Sequence, residues 1–110
     1  MLNCVFRLGE FGDVEAFSGF EISGHAGYGE AANEREGNDI VCAAVSSCTM
    51  LVCNAITENF GANADVKVEE NRITLSLKEN SESAQKLIAA FCEHLKTLSR
   101  EYENIKVTIK

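Results

Sequence analysis

His25 stands at the start of a glycine-rich stretch, and Cys42 stands where that stretch gives way to an apolar segment. These two side chains could do covalent chemistry together. The thiolate is the reactive form of cysteine, and a helix N-terminus or a neighbouring His⁺ lowers the thiol pKa. Asp39 is a good N-cap, so the sequence predicts a helix opening there with Cys42 in its first turn. The positive end of the macrodipole favours an anion at that position. The orphan N–H groups of the same helix end could hold an oxyanion. One short segment thus offers nucleophile, base and electrostatic stabilisation for acyl transfer.

Each of these residues has a plainer reading. Cysteine packs readily as a small hydrophobe, so Cys42 could simply be buried. His25 could be a solvated loop residue. Asp39 is first a cap and second a group that could orient His25. Ser46, one turn beyond Cys42, either faces solvent or lines the site beneath the thiol. On a helical wheel Cys42 shares a small, polar stripe with Ser46, Thr49 and Cys53, so it need not be buried. Cys48 falls on the apolar face, Cys4 and Cys92 read as packing, and His94 reads as a partly buried surface residue. The cysteine count is odd, with no C-x-x-C pair, which predicts reduced thiols and no metal site.

The elements that must position these residues follow from periodicity. Leu2, Cys4, Phe6 and Leu8 alternate along a half-buried strand, and a turn is expected over Gly9–Asp13. Residues 14–23 read as a second strand with Phe20 and Ile22 on one face. Residues 24–38 lack alternation and read as a long loop, a length that is often functional. A helix then runs from Asp39 to near Asn59, stopped by Gly61. Its apolar face is Ile40, Val41, Ala44, Val45, Cys48, Leu51, Val52, Ala55 and Ile56. Val66 and Val68, then Ile73, Leu75 and Leu77, form a hairpin around residues 70–72. A second helix spans Ser81 to about Tyr102, and Ile105, Val107 and Ile109 alternate in a last strand. The order ββαββαβ implies an α+β fold: one two-layer domain over residues 1–110, two helices packed on a mainly antiparallel five-stranded sheet. The first and last strands could leave open edges that a second subunit would pair.

Composition narrows the function. The chain has 17 acidic and 10 basic side chains, for a net charge of −7. Residues 1–60 hold 9 acids against 2 bases, and residues 61–110 hold 8 of each. An acidic chain is a poor nucleic-acid binder. Its excess reads as a field around the candidate site that would attract a basic protein. Glu30, Glu34, Glu36 and Asp39 lie in or beside the loop. No unbroken run of about 18 apolar residues suggests a membrane span, and the N-terminus has no secretory pattern.

The strings Gly24-His25-Ala26 and Gly37-Asn38-Asp39-Ile40-Val41-Cys42-Ala43-Ala44-Val45-Ser46 carry a more specific signal. They resemble the signature of the bacterial ribosomal-processing cysteine protease family, GHA, a loop, then G-x-D-I-V-C-A-A-V-S. The resemblance implies a cytoplasmic homodimeric cysteine endopeptidase without metal or cofactor. Its substrate would be the precursor of the twenty-seventh large-subunit ribosomal protein, from which it removes an N-terminal extension. Cys42 would be the nucleophile and His25 the base, with Asp39, Ser46 and Gly24 in supporting roles. Gly27, Gly29 and Gly37 would belong to a substrate loop that folds over the bound peptide. The stretch between His25 and Cys42 is longer than the family pattern, with residues 31–36 as the extra material. Loop closure tolerates this, since its cost grows slowly with length. A second reading, a non-catalytic dimeric module bound to the ribosome, rests on the acidic half of the chain.

Overall fold

Strands β1 (Leu2–Phe11) and β2 (Val14–Ser23) form an antiparallel hairpin closed by a tight turn at Gly12-Asp13, where Gly12 has φ +65°. The turn is shorter than the expected Gly9–Asp13, because Gly9, Glu10 and Phe11 pair with Ala16, Glu15 and Val14. The computed structural model describes residues 1–24 and 36–110, with the backbone alone over 36–39. Helix α1 spans Glu36–Asn54 and continues as a π-helical turn over Ala55–Asn59. Strands β3 (Ala64–Glu69) and β4 (Arg72–Leu77) follow, then helix α2 (Glu82–Glu101) and strand β5 (Ile105–Ile109). Ser81 caps α2, its hydroxyl accepting from the Ala84 N–H at 3.3 Å.

The sheet order is β3-β4-β2-β1-β5. All pairs are antiparallel except β1 with β5, which run parallel because α2 carries the chain back across one face. This is the α+β architecture expected, two helices on a five-stranded and mostly antiparallel sheet. Phe6 of β1, Phe20 of β2 and Phe91 of α2 meet edge-to-face or tilted, with centroids 5.1–5.7 Å apart. Each buries a side chain worth roughly 1.5–3 kcal/mol of transfer energy. At the Arg7/Leu8 irregularity β2 carries one extra residue, Ser18, and before Gly19 it no longer pairs with β4, which leaves the Phe17 backbone open on that side. Gln85 satisfies it twice: Phe17 N–H donates to Oε1 at 2.9 Å, and Nε2 donates to the Phe17 carbonyl at 2.7 Å.

Helix α1 departs from expectation in two ways. It is already helical at Glu36, so Gly37, Asn38 and Asp39 are helical and Asp39 lies inside the helix instead of capping it. Its buried face also sits further round. Val41, Val45, Thr49, Val52, Cys53 and Ile56 are buried, whereas Ile40 and Leu51 are 67% and 68% exposed. Thr49 is admitted to the core because its hydroxyl donates to the Val45 carbonyl at 2.7 Å. The helix carries no charge between Asp39 and Glu58 to mark an outer side, so its periodicity leaves the face ambiguous. For the same reason Ile40–Asn59 reaches a mean hydropathy of 1.9 and passes the length and composition test for a membrane span. The polar residues that interrupt its apolar run do not prevent that.

Candidate active site

Gly24 ends β2 at the same end of the sheet as Leu2, Asn71 and Ile105. Its N–H donates to the Asn71 carbonyl at 3.1 Å, and Leu2 N–H donates to the Asn104 carbonyl at 2.7 Å. Gly24 has φ +91°, and a Cβ there would run into the carbonyl oxygen of Met1. Only glycine fits this junction. It is the residue from which the chain leaves the sheet toward His25. His25, Gly27 and Gly29 lie outside the described residues, as do the side chain of Asp39 and the proposed loop closure.

Cys42 is half-buried on α1 and packs against the core cluster. Its stripe is not the small polar surface that the wheel suggests: Thr49 and Cys53 on it are fully buried, and Ser46 is half-buried. The thiol therefore sits at the margin of the core. With α1 already helical at Glu36, Cys42 lies beyond the first turn. The macrodipole acts mainly within the first turn, so the helix end is a weaker activator than expected.

All five cysteines are thiols and not disulfides. Burial pushes the Cys4 thiol up to about 12, with Cys92 adding to the effect, and pushes Cys53 up to about 11. Burial also raises Cys48, which is half-buried and not fully in the core, and Cys92. These four are poor nucleophiles at neutral pH, since reactivity follows thiolate content. Iodoacetamide at neutral pH is expected to modify Cys42 first, read by peptide mapping, with Cys4, Cys53 and Cys92 protected until the protein unfolds. Labelling of Cys48 ahead of Cys42 would show that Cys42 is not the activated thiol. His94 is exposed, not partly buried. Among the described residues no three His, Cys, Asp or Glu side chains converge as a metal set.

The charge map also changes. Glu10, Asp13 and Glu15 lie at the β1–β2 turn, at the opposite end of β2 from Gly24. Ten strand residues separate those ends by about 30 Å, well beyond a Debye length of about 10 Å. Glu58 closes the far end of α1, and Glu21 is shared by Arg7 at 3.6 Å and Arg72 at 3.8 Å. Much of the acidic excess is thus remote from the thiol or already paired.

A thiol at the margin of an α+β core, on the helix that follows a strand-ending glycine, is placed where a nucleophile could work. The chain belongs to the family described as cysteine protease Prp, whose model matches residues 10–107. Comparison with curated proteins returns no match. Among solved structures it is similar to SMU.848 from Streptococcus mutans, with a TM-score of 0.82 and 24% identity over 99% of this chain and 96% of that one. It is also similar to the essential ribosomal processing protease Prp from S. aureus in complex with a substrate peptide, with a TM-score of 0.79 and 22% identity over 100% of both chains. The S. aureus protease with a covalently linked product peptide gives 0.76 and 24%, again over 100% of both. At these identities the likeness shows the shared fold.

Proposed function

We propose that this cysteine protease removes the N-terminal extension of a large-subunit ribosomal protein precursor, the twenty-seventh, with Cys42 as nucleophile and His25 as base. The observation that carries the reading is the family match over residues 10–107, together with a half-buried Cys42 on α1 within the Gly37–Ser46 string. The S. aureus relative is described as a ribosomal processing protease, and the same role is proposed here. In the proposed cycle His25 takes the Cys42 proton and the thiolate attacks the scissile carbonyl carbon. Backbone N–H groups at the head of α1 meet the oxyanion. His25 then protonates the departing amine, the C–N bond breaks, and water hydrolyses the thioester with His25 as base. Asp39 and Ser46 support this pair, and Gly27, Gly29 and Gly37 belong to the segment that approaches the peptide.

The proposed enzyme is a cytoplasmic homodimer formed by one catalytic domain per chain, and its chemistry needs no metal, cofactor, nucleic acid or membrane. The outer side of α1 supports the dimer: Ile40, Ala43, Ala44, Ser47 and Leu51 are exposed and uncharged, and a second copy over them accounts for the high hydropathy of this helix. The decisive experiment is mass spectrometry of the purified precursor after incubation with the protein. One cut near the N-terminus is expected. An intact precursor, with Cys42 shown reduced, would overturn the reading.

A further inference from the structure

We propose that the Cys42 flank of α1 and the uncovered inner side of β3 together form the groove that seats the peptide. In it Val66 and Val68 select apolar side chains at two alternating substrate positions. The inference rests on Cys42 being the nucleophile.

Val66 pairs with Leu75 and Val68 with Ile73 across the β3–β4 ladder. Directly opposed residues share a sheet face. Leu75 and Ile73 are 1% and 4% exposed beneath the helices, so the two valines look toward the helix layer too. Yet Val66 is 36% and Val68 60% exposed. The helix layer therefore stops short of the edge strand. Helix α2 packs on β2 and β5, and α1 packs beside α2, which assigns α1 to the β4 side of the sheet, where it would form the wall of that step.

On that assignment Cys42 lies on the side of α1 that faces the step. The flank toward α2 is marked by a cleft of about 80 Å³ lined by Ile40, Val41, Ala44, Leu98 and Tyr102. Successive helix residues turn by about 100°, which carries Cys42 and Ser46 past the buried face to the opposite flank. Both are half-buried there. The thiol and the two valines thus border one apolar step.

The spacing suits an extended peptide. Alternate side chains of an extended chain repeat every ~7 Å, the spacing of Val66 and Val68 themselves. The opposite face of β3 carries Asp65, Lys67 and Glu69, the polar pattern of a face left to solvent. The valines do not continue that pattern. Two valine side chains are also far too little for a subunit interface, which buries about 800 Å² a side. A peptide lying beside the thiol fits the dimensions; a second copy does not.

The test compares the wild type with Val66→Lys and Val68→Lys, edge-strand changes that a fold tolerates. The probes are a peptide covering the precursor's N-terminal extension and versions with single apolar residues near the scissile bond changed to Ser. The lysine variants are expected to raise KM about tenfold with kcat held, since one apolar contact in a specificity pocket carries about that factor. The penalty shrinks on the matching Ser peptide, Val68→Ile restores KM, and Cys42 alkylation is unchanged. If the wild type cleaves and the lysine variants match it, the groove is wrong and the peptidase stands. If the variants instead alter only the oligomeric state, a second copy occupies the step and the proposal falls. If the wild type cleaves no peptide while Cys42 is reduced, the peptidase reading fails and takes the groove with it.

Discussion

Cys42→Ala is expected to abolish cleavage of the precursor, and His25→Ala to lower it by about 10²–10⁴-fold, the usual share of a general acid–base. The two losses arise differently. Removing the sulfur removes the covalent path, whereas removing the imidazole leaves a thiol with no partner to take its proton. That α1 is already helical at Glu36 sharpens the second prediction. Cys42 then lies beyond the first turn, where the macrodipole has largely decayed, so in the proposed dyad His25⁺ would supply most of the thiolate stabilisation. A cation beside a thiol lowers its pKa, and losing the cation raises it. The pH profile of Cys42 alkylation in His25→Ala should therefore move up toward the free-cysteine value of about 8.5. Cys42 is only half-buried, so Cys42→Ala should keep the wild-type melting temperature within a few degrees. Full cleavage by either variant would remove the dyad. An unchanged alkylation profile in His25→Ala would place the activation elsewhere.

The strands were legible because they alternate and one face of the sheet is covered while the other is open, although Leu8 follows the same alternation and is 42% exposed. Leu2, Cys4 and Phe6 lie where period two puts them, as do Ile73, Leu75 and Leu77. Helix α2 was equally plain, since Ala84, Ile88, Phe91 and Leu95 are opposed by charged residues on the other side. Helix α1 was not. With no charge over eighteen residues, nothing in its sequence distinguishes Ile40, which is exposed, from Val45, which is buried. The stripe of Cys42 was misjudged for a related reason. Serine and threonine read as polar, but Thr49 closes its own hydrogen bond within the helix and then buries like valine. Asp39 failed as a helix start because a good capping residue is also acceptable inside a helix, and near the N-terminus its charge favours the macrodipole. The acidic field was overdrawn because distance along the sequence hides the length of a strand: Glu10, Asp13 and Glu15 belong to the same half as Cys42 but to the other end of the sheet. The motif around Gly24, by contrast, acquires a physical reason that spacing could not give.

Gly24→Ala is expected to lower kcat about 100-fold while the sheet stays folded. The backbone at Gly24 has φ +91°, a conformation that costs a residue with a Cβ about 1–3 kcal/mol. The methyl would also meet the carbonyl of Met1, which is backbone and cannot rotate away as a side chain can. On the other side the Gly24 N–H is tied to Asn71. The strain must then be relieved by moving the chain at 24, and the next residue is His25. A displacement of about 1 Å in a reacting group can cost roughly 100-fold in rate. Gly12→Ala separates this from a general loss of stability. Gly12 has φ +65° and nothing within 4 Å of its would-be Cβ, and it sits at the remote β1–β2 turn. It carries the left-handed strain without the clash and without a link to the site. Gly12→Ala should lower the melting temperature by several degrees and leave kcat alone, whereas Gly24→Ala should lose kcat out of proportion to its melting temperature. Equal losses of activity in the two variants would mean that Gly24 serves the fold and not the placement of His25.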